Sequence, residues 1–499
     1  MQALRQNRKA VFWSVMISMS IIMEGYDTIL IGNFFAYPEF AKKFGDYYPE
    51  IDDWEVSAPW QTGLNMASTV GGIFGGLMNG YLASKFGYRW VMIGAMGLLN
   101  VFIFAVFFAP NAGALVGGQV MCGLCWGVFA TLSPAYASEV CPTNLRGYLT
   151  TYVNLCWAIG QLIASGVLRG CLPIEGEMGY KIPFAIQWLW PLPLMFIAYF
   201  SPESPWYLVR TDRLDEAKKS IGRLSGDKTD EQIDAQLAMM VHTTRLEAEV
   251  TKGATYFDCF RGVDLRRTEI CMVAFMGQIL SGSSFAYTPT YFFTTAGMET
   301  YNAFNLSLGA KGMAFLGTVS SWWLITYFGR RTLYVGGIGM LSVILFILGI
   351  LDVSAGEKGL WPSGGLCIFW LFIYSLTIGP LAYSITSETS SVRLRPLSVV
   401  LARTAYQVTN VVSQVLYSYM QNPTAWNFKG KSGFFWGGTA FIVFLWAYFR
   451  LPEIKGRTYE ELDILFANKT PARKFAQAHV DAYAVSGSAE EHTQTHKAE

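Results

Sequence analysis

The sequence predicts an all-α membrane protein, with twelve transmembrane helices gathered into two six-helix bundles. Three observations lead there. Of 499 residues, 52% are hydrophobic and only 15% are charged. The apolar residues fall into twelve runs long enough to cross a bilayer. Loop motifs of the first half recur in the second. The 49 glycines suit helices that pack closely in lipid. A formal net charge of +1 gives no reason to expect a nucleic-acid partner. No nucleophile–base pair, phosphate loop or metal-ligand cluster stands out, so neither an enzyme nor a bound metal or cofactor is expected.

The twelve runs lie at about 11–37, 63–83, 90–108, 113–137, 149–169, 184–201, 269–293, 305–328, 332–351, 363–386, 397–420 and 433–451. One set of loops holds Arg5, Arg8, Lys9, Lys85, Arg89, Arg146, Arg330, Arg331, Arg393 and Arg395; the opposite set holds only Lys42, Lys43, Lys181, Lys358, Lys429 and Lys431. The positive-inside rule therefore places both termini and the long central loop in the cytoplasm. Residues 1–202 form the first bundle, 203–267 a linker, 268–452 the second bundle and 453–499 a tail. In the linker, Leu214, Ala217, Ile221 and Leu224 repeat at helical spacing after a cap at Thr211 or Asp212. Thr229 and Gln232 resemble a capping box ahead of Ile233, Leu237 and Met240. The tail's last twenty or so residues, with His479, His492 and His496, lack any apolar period and are expected to be disordered. The first outer loop, Pro38 to Gln61, is acidic and reads as solvated. Of eight cysteines, five lie in apolar runs and only Cys171 in an outer loop; Cys122 and Cys125 read as packing residues, and no disulfide framework is expected.

The first run carries the most informative residues. Glu24 and Asp27 lie near its midpoint, where a charged side chain costs roughly 2.5–3.5 kcal/mol even on a lenient scale. Three residues apart, they share a helix face that must look into protein or a wet cavity. They read as a proton or solute site.

The halves repeat one another. Glu139 and Arg146 follow the fourth run, and Glu388 and Arg395 follow the tenth with the same separation, 249 residues later. Pro202-Glu203 recurs as Pro452-Glu453, and Phe86-Gly87-Tyr88-Arg89 as Phe328-Gly329-Arg330-Arg331. A tandem repeat of six helices implies two bundles with a site at their mid-membrane interface, reached by rocking. Glu139, Arg146, Glu388, Arg395, Arg89, Arg330, Arg331, Glu203 and Glu453 then read as gating charges that pair across or between bundles.

Tyr136-Ala137-Ser138-Glu139-Val140, Leu145-Arg146-Gly147, the run Pro202 to Leu208 and the run Pro452 to Thr458 resemble the sugar porter family of the major facilitator superfamily. Met23 to Thr28, Ala137 to Pro142, Gln187 to Pro191 and Pro471 to Ala476 are similar to the fungal maltose permeases, α-glucoside–proton symporters of the plasma membrane. The resemblance implies a sugar and a proton as partners, with Asp27 as the proton site and Glu24 as an added acid. It matches Gln161, Gln278, Tyr383 and Asn410 to sugar contacts. It also shows departures: the second Gln and the Asn of the seventh-helix motif are replaced by Ile279 and Ser284. The arginine that usually faces the first-helix aspartate is Gln119, and the usual loop aspartate is Ser84 in one half and Thr326 in the other.

Chemistry alone supports the same surface. Gln161, Asn154, Gln278, Ser284 and Asn410 supply donors and acceptors for hydroxyls, and Trp157, Tyr287 and Tyr383 supply faces for a pyranose ring. Arg403 is a candidate partner for one acid or for sugar hydroxyls. Glu24 and Asp27 are expected to share a proton when the site is closed. The expected function is proton-coupled import of an α-glucoside; the alternatives are an uncoupled facilitator and a sugar sensor. Oligomeric state is not legible.

Overall fold

The computed structural model describes residues 7–140, 143–225, 229–251, 255–287, 289–391, 393–457 and 459–478. The terminal histidines and the last twenty residues lie outside them. The first span is α1 (Arg8–Ser18) and α2 (Ser20–Phe34), broken at Met19 where the Ser20 hydroxyl turns back to the Ile17 carbonyl at 2.9 Å. On the outer side follow α3 (Pro38–Phe44) and the antiparallel hairpin β1 (Asp46–Tyr48) and β2 (Asp53–Glu55). Then come α4 (Ala58–Phe86), α5 (Tyr88–Phe107), α6 (Ala112–Val140) and α7 (Thr143–Cys171); α8 (Met178–Ile186) and α9 (Pro191–Phe200) make the sixth span.

The linker forms α10 (Pro205–Arg210), α11 (Leu214–Leu224) and α12 (Asp230–Thr251). The second half has a twice-broken seventh span, α13 (Gly262–Leu280), α14 (Ser283–Ala286) and α15 (Thr290–Thr295), then α16 (Thr300–Tyr327) and α17 (Arg330–Ala355). Its tenth span is α18 (Leu360–Leu376) and α19 (Ile378–Thr389), followed by α20 (Arg395–Gln421) and α21 (Ser432–Arg450); α22 (Tyr459–Ala467) closes the order. These twelve spans, counted among the described residues, match the predicted fold class.

The breaks have local causes. Gly282 takes the left-handed conformation at φ 87°, which only glycine adopts freely, and Pro289 cannot donate a helical hydrogen bond. In the tenth span Thr377 leaves helical geometry (φ −122°, ψ −80°) and its hydroxyl bonds the Ile373 carbonyl at 2.7 Å, just before Pro380. Neither break was predicted.

Among the described residues, eight helical stretches are long and apolar enough to cross a membrane. The four remaining spans, α4, α7, α16 and α20, are the ones that join the halves: α7 packs on α16, and α4 on α20. Their lower hydropathy has a physical reason, since one face of each meets protein and cavity rather than lipid. Each half has its own apolar core, and the first also takes in Tyr291 and Phe304 from the second half.

Three expectations need correction. The outer loop is not simply solvated: α3 buries Phe40 and Phe44, one turn apart with tilted rings 4.7 Å centre to centre, and Glu55 is only 8% exposed. Cys171 lies buried at the end of α7 rather than in a loop. Neither Thr211 nor Asp212 caps α11; the Thr211 hydroxyl bonds back to the Tyr207 carbonyl at 3.0 Å, and Leu214 is exposed while Ala217, Ile221 and Leu224 are buried. Half of the second capping box forms, with the Thr229 amide donating to Gln232 at 3.3 Å. The first part of the tail packs on the second half: Leu462, Leu465, Phe466 and Phe475 are buried, and Asp463 pairs with Arg267 at 2.5 Å.

Candidate functional site

The acid pair is delivered by close helix packing. A Cβ on Gly25 would strike the backbone of Trp157, and one on Gly160 the carbonyl of Ile22, so α2 and α7 touch backbone to backbone around Glu24. This places Trp157 beside Glu24, and Arg403 of α20 acts on the same carboxylate from the other half. Asp27 turns elsewhere. It is 4% exposed and accepts from the Gln187 amide at 2.7 Å, at the turn between α8 and α9. Gln119 and Trp126 also face it, so neutral groups stand where an arginine was looked for. The two acids share a helix, but each has its own partners.

Around them lie the residues read as sugar contacts. Gln161 is buried; its Oε1 accepts from the Tyr287 hydroxyl at 2.8 Å across the two halves, while its Nε2 has no hydrogen-bond partner among the described residues. Asn154 and Trp157 on α7 and Asn410 on α20 are half-buried. Ser284 bonds Ser413 at 2.7 Å, tying α14 to α20. Arg403 donates to the Tyr383 hydroxyl at 3.0 Å and lies over the rings of Phe275 and Tyr406. Tyr383 itself is 50% exposed, with Arg403 5.8 Å from the centre of its ring and the Phe275 ring edge-on at 5.0 Å. The Gln278 amide is already spent on the Gly379 carbonyl at 2.8 Å, where it braces the break in the tenth span.

The structure also assembles a cluster the sequence reading missed, at the hairpin side of the interface. Tyr291 of α15 donates to Glu55 at 2.8 Å, and Gln61 of α4 donates to both, at 3.0 Å to Glu55 and 2.8 Å to Tyr291. Beside it the Asn422 amide donates to the Val56 carbonyl at 2.8 Å, and Arg169 reaches Asn305 at 3.0 Å. Burial pushes the Glu55 carboxyl up to about 7, against the hydrogen bonds from Tyr291 and Gln61. These contacts join the halves on that side. A second missed residue is Lys311, 1% exposed on α16. A lone lysine in an apolar run was a usable signal, by the logic applied to Glu24.

At the opposite side, where the described residues begin and end, the charged motifs bond within their own half. Glu203 accepts from the backbone amides of Tyr88 and Arg89 at 3.0 and 3.1 Å, and Glu453 from those of Arg330 and Arg331 at 2.8 and 3.2 Å. Each carboxylate thus caps the start of a span, α5 or α17, where free amides and the helix dipole favour an anion. The repeated glycine is explained by the same geometry, because a Cβ on Gly87 or Gly329 would collide with Glu203 or Glu453. Glu139 takes the Tyr88 hydroxyl at 3.0 Å and pairs with Arg210 at 2.6 Å; Glu388 pairs with Arg330 at 3.0 Å. Tyr88 and Arg330 occupy matching places in the repeat and reach matching acids. Arg89 lies over the Tyr199 ring and Arg331 over that of Tyr448. Arg395 begins α20, and the side chain of Arg146 lies outside the described residues.

Two bundles of six spans, joined by their most polar helices around buried acids and amides, define a secondary transporter rather than an enzyme. The sequence profile of the family described as "Sugar (and other) transporter" matches residues 13–466. The chain belongs to that family. It is 41% identical over 495 residues to maltose permease MAL31 of Saccharomyces cerevisiae, covering 98% of this chain and 81% of the relative. It is 39% identical over 488 residues to the general alpha-glucoside permease of the same yeast, covering 97% and 79%. Among solved structures it resembles the xylose transporter XylE of E. coli in a partially occluded inward-open conformation, with TM-score 0.73, 18% identity, and 90% and 99% of the two chains covered. That likeness extends to the fold.

Proposed function

We propose that the protein imports α-glucosides, maltose first among them, together with protons across the plasma membrane, with both termini cytoplasmic and residues 1–202 rocking against 268–452. The observation that carries the coupling is the setting of Asp27: a buried mid-membrane carboxylate held by the neutral Gln187 amide, able to take and release a proton without breaking an ion pair. Glu24, beside Arg403 and Trp157, links that site to the cavity wall. Gln161, Asn154, Trp157, Tyr287, Tyr383, Asn410 and Arg403 are the proposed sugar contacts, with Gln278 and Ser284 acting through the helices they brace. The α-glucoside class is supported by the names of the yeast relatives. The driving force is sufficient in kind: a proton entering a negative interior gains about 2.3 kcal/mol per 100 mV.

The test is uptake of labelled maltose into transport-deficient cells with external pH recorded. Wild type is expected to take up maltose with transient external alkalinisation, and Asp27→Asn to lose the alkalinisation and concentrative uptake. Maltose entry without proton movement would make the protein a facilitator. Entry of a different sugar would overturn the substrate alone.

A further inference from the structure

Lys311 has no place in the function proposed above. It lies on α16, 1% exposed, among apolar neighbours, and no carboxylate of the described residues acts on it. A lysine without a counter-charge in a membrane interior is costly and needs compensation from what it touches. Lys311 touches one residue in two ways. Its Nζ donates to the Tyr287 carbonyl at 2.8 Å and lies 3.7 Å from the centre of the Tyr287 ring.

Tyr287 is a residue that needs holding. It lies in the break between α14 and α15, two residues before Pro289, where the helical hydrogen-bond ladder is interrupted. At its far end the phenol donates to Gln161 in the other half, at 2.8 Å. The ring of Tyr374 packs edge-on beside it at 5.8 Å. One amino group therefore fixes the backbone and the ring of the tyrosine that spans the two halves at mid-membrane.

We infer that Lys311 is a positioning residue of the sugar site: it clamps Tyr287 so that the phenol is aimed at Gln161 and at the sugar hydroxyl that replaces it. This inference rests on the sugar-transport reading of the cavity. Lys311 acts through Tyr287 and does not itself contact the substrate. Removing the amino group while keeping the chain length leaves Tyr287 free to swing about an interrupted backbone, and the cost falls on substrate affinity rather than on turnover. Arginine preserves both the donor and the cation over the ring.

The experiment is a double-mutant cycle on the full chain with wild type, Lys311→Met, Tyr287→Ala and the double variant, and Lys311→Arg as the conservative variant. Uptake is measured with labelled maltose, sucrose, maltotriose and glucose, per transporter at the cell surface, and thermal unfolding is followed on the purified proteins. Lys311→Met is expected to raise KM about tenfold with Vmax within about twofold, Lys311→Arg to recover most of that loss, and Lys311→Met to add nothing once Tyr287 is alanine. The shift in Tm caused by Lys311→Met is expected to shrink by at least half in the Tyr287→Ala background. The inference is overturned if KM is unchanged, if Vmax falls alone in step with lost protein, or if the two substitutions multiply. Carriage of sucrose but not maltose would sink the maltose assignment while leaving the cycle to be read on sucrose. If none of the four sugars is carried, the transport reading fails, and an additive Tm cycle would then sink the clamp as well.

Discussion

The two ends of the interface between the halves differ in where their hydrogen bonds go. On the hairpin side they cross it: Glu55 and Gln61 meet Tyr291, Val56 meets Asn422, and Arg169 meets Asn305. On the opposite side, the motif charges repeated in both halves turn inward, Glu203 onto α5, Glu453 onto α17, Glu388 onto Arg330. Rings follow the same division, with Phe35 against Tyr291 and Tyr37 against Phe304 on the hairpin side. On the transport cycle proposed above, the contrast teaches that the repeated loop motifs rigidify each bundle, whereas the unrepeated hairpin supplies the contact that closes one entrance. A transporter needs both, since rocking requires stiff bodies and a seal that can be made and broken.

The largest effect should come from the stiffening side. Glu203→Ala and Glu453→Ala each strip the carboxylate from a pair of backbone amides, and a lost charge-assisted cap of this kind costs about 3 kcal/mol. Thermal unfolding of the purified protein should show similar losses for the two, because the two geometries match. A large loss in one half with none in the other would break the claim that the repeat is mechanical. A smaller effect is expected at the seal. Tyr291→Phe removes the hydroxyl bonded to Glu55 and Gln61 and should weaken closure by about 1–3 kcal/mol, with little change in Tm. Its readout is a several-fold faster reaction of a thiol placed behind the seal.

The sequence carried the stiff parts well and the seal poorly. Twelve apolar runs are a long, strongly periodic signal, and the repeated Glu203 and Glu453 motifs were visible because each depends on a local turn with glycine. The breaks at Gly282 and Thr377 depend on a few residues inside apolar runs, and hydropathy averages over them. The acids at positions 24 and 27 stood out because charge is rare in lipid; their divergence toward Gln187 and Arg403 is a tertiary fact with no local trace. Glu55 is the clearest case. It lies among five other carboxylates in an outer loop, and what buries it is Tyr291, 236 residues away. Phe40 and Phe44 at helical spacing were the one local hint that this loop folds.

The pH dependence of that seal is the most direct test. Burial holds the closed-state carboxyl of Glu55 at about 7, with Asp53 adding to the rise, whereas a solvated glutamate lies near about 4.3. The closed form therefore binds the proton more tightly. Closure is favoured at low pH, loses that advantage as pH rises from the ordinary carboxylate range through about 7, and changes little above it. The measurement is the rate at which a membrane-impermeant maleimide, added on the hairpin side, modifies Thr290→Cys, a buried position beside Tyr291, in a chain whose own cysteines are replaced. With each rate divided by that of a free thiol and the same reagent at the same pH, because the thiolate fraction itself rises with pH, the account predicts slow labelling at pH 5 that quickens several-fold by pH 8, with the pH response lost in Glu55→Gln. Equal labelling at both pH values in the parent, or an undiminished response in Glu55→Gln, would contradict it.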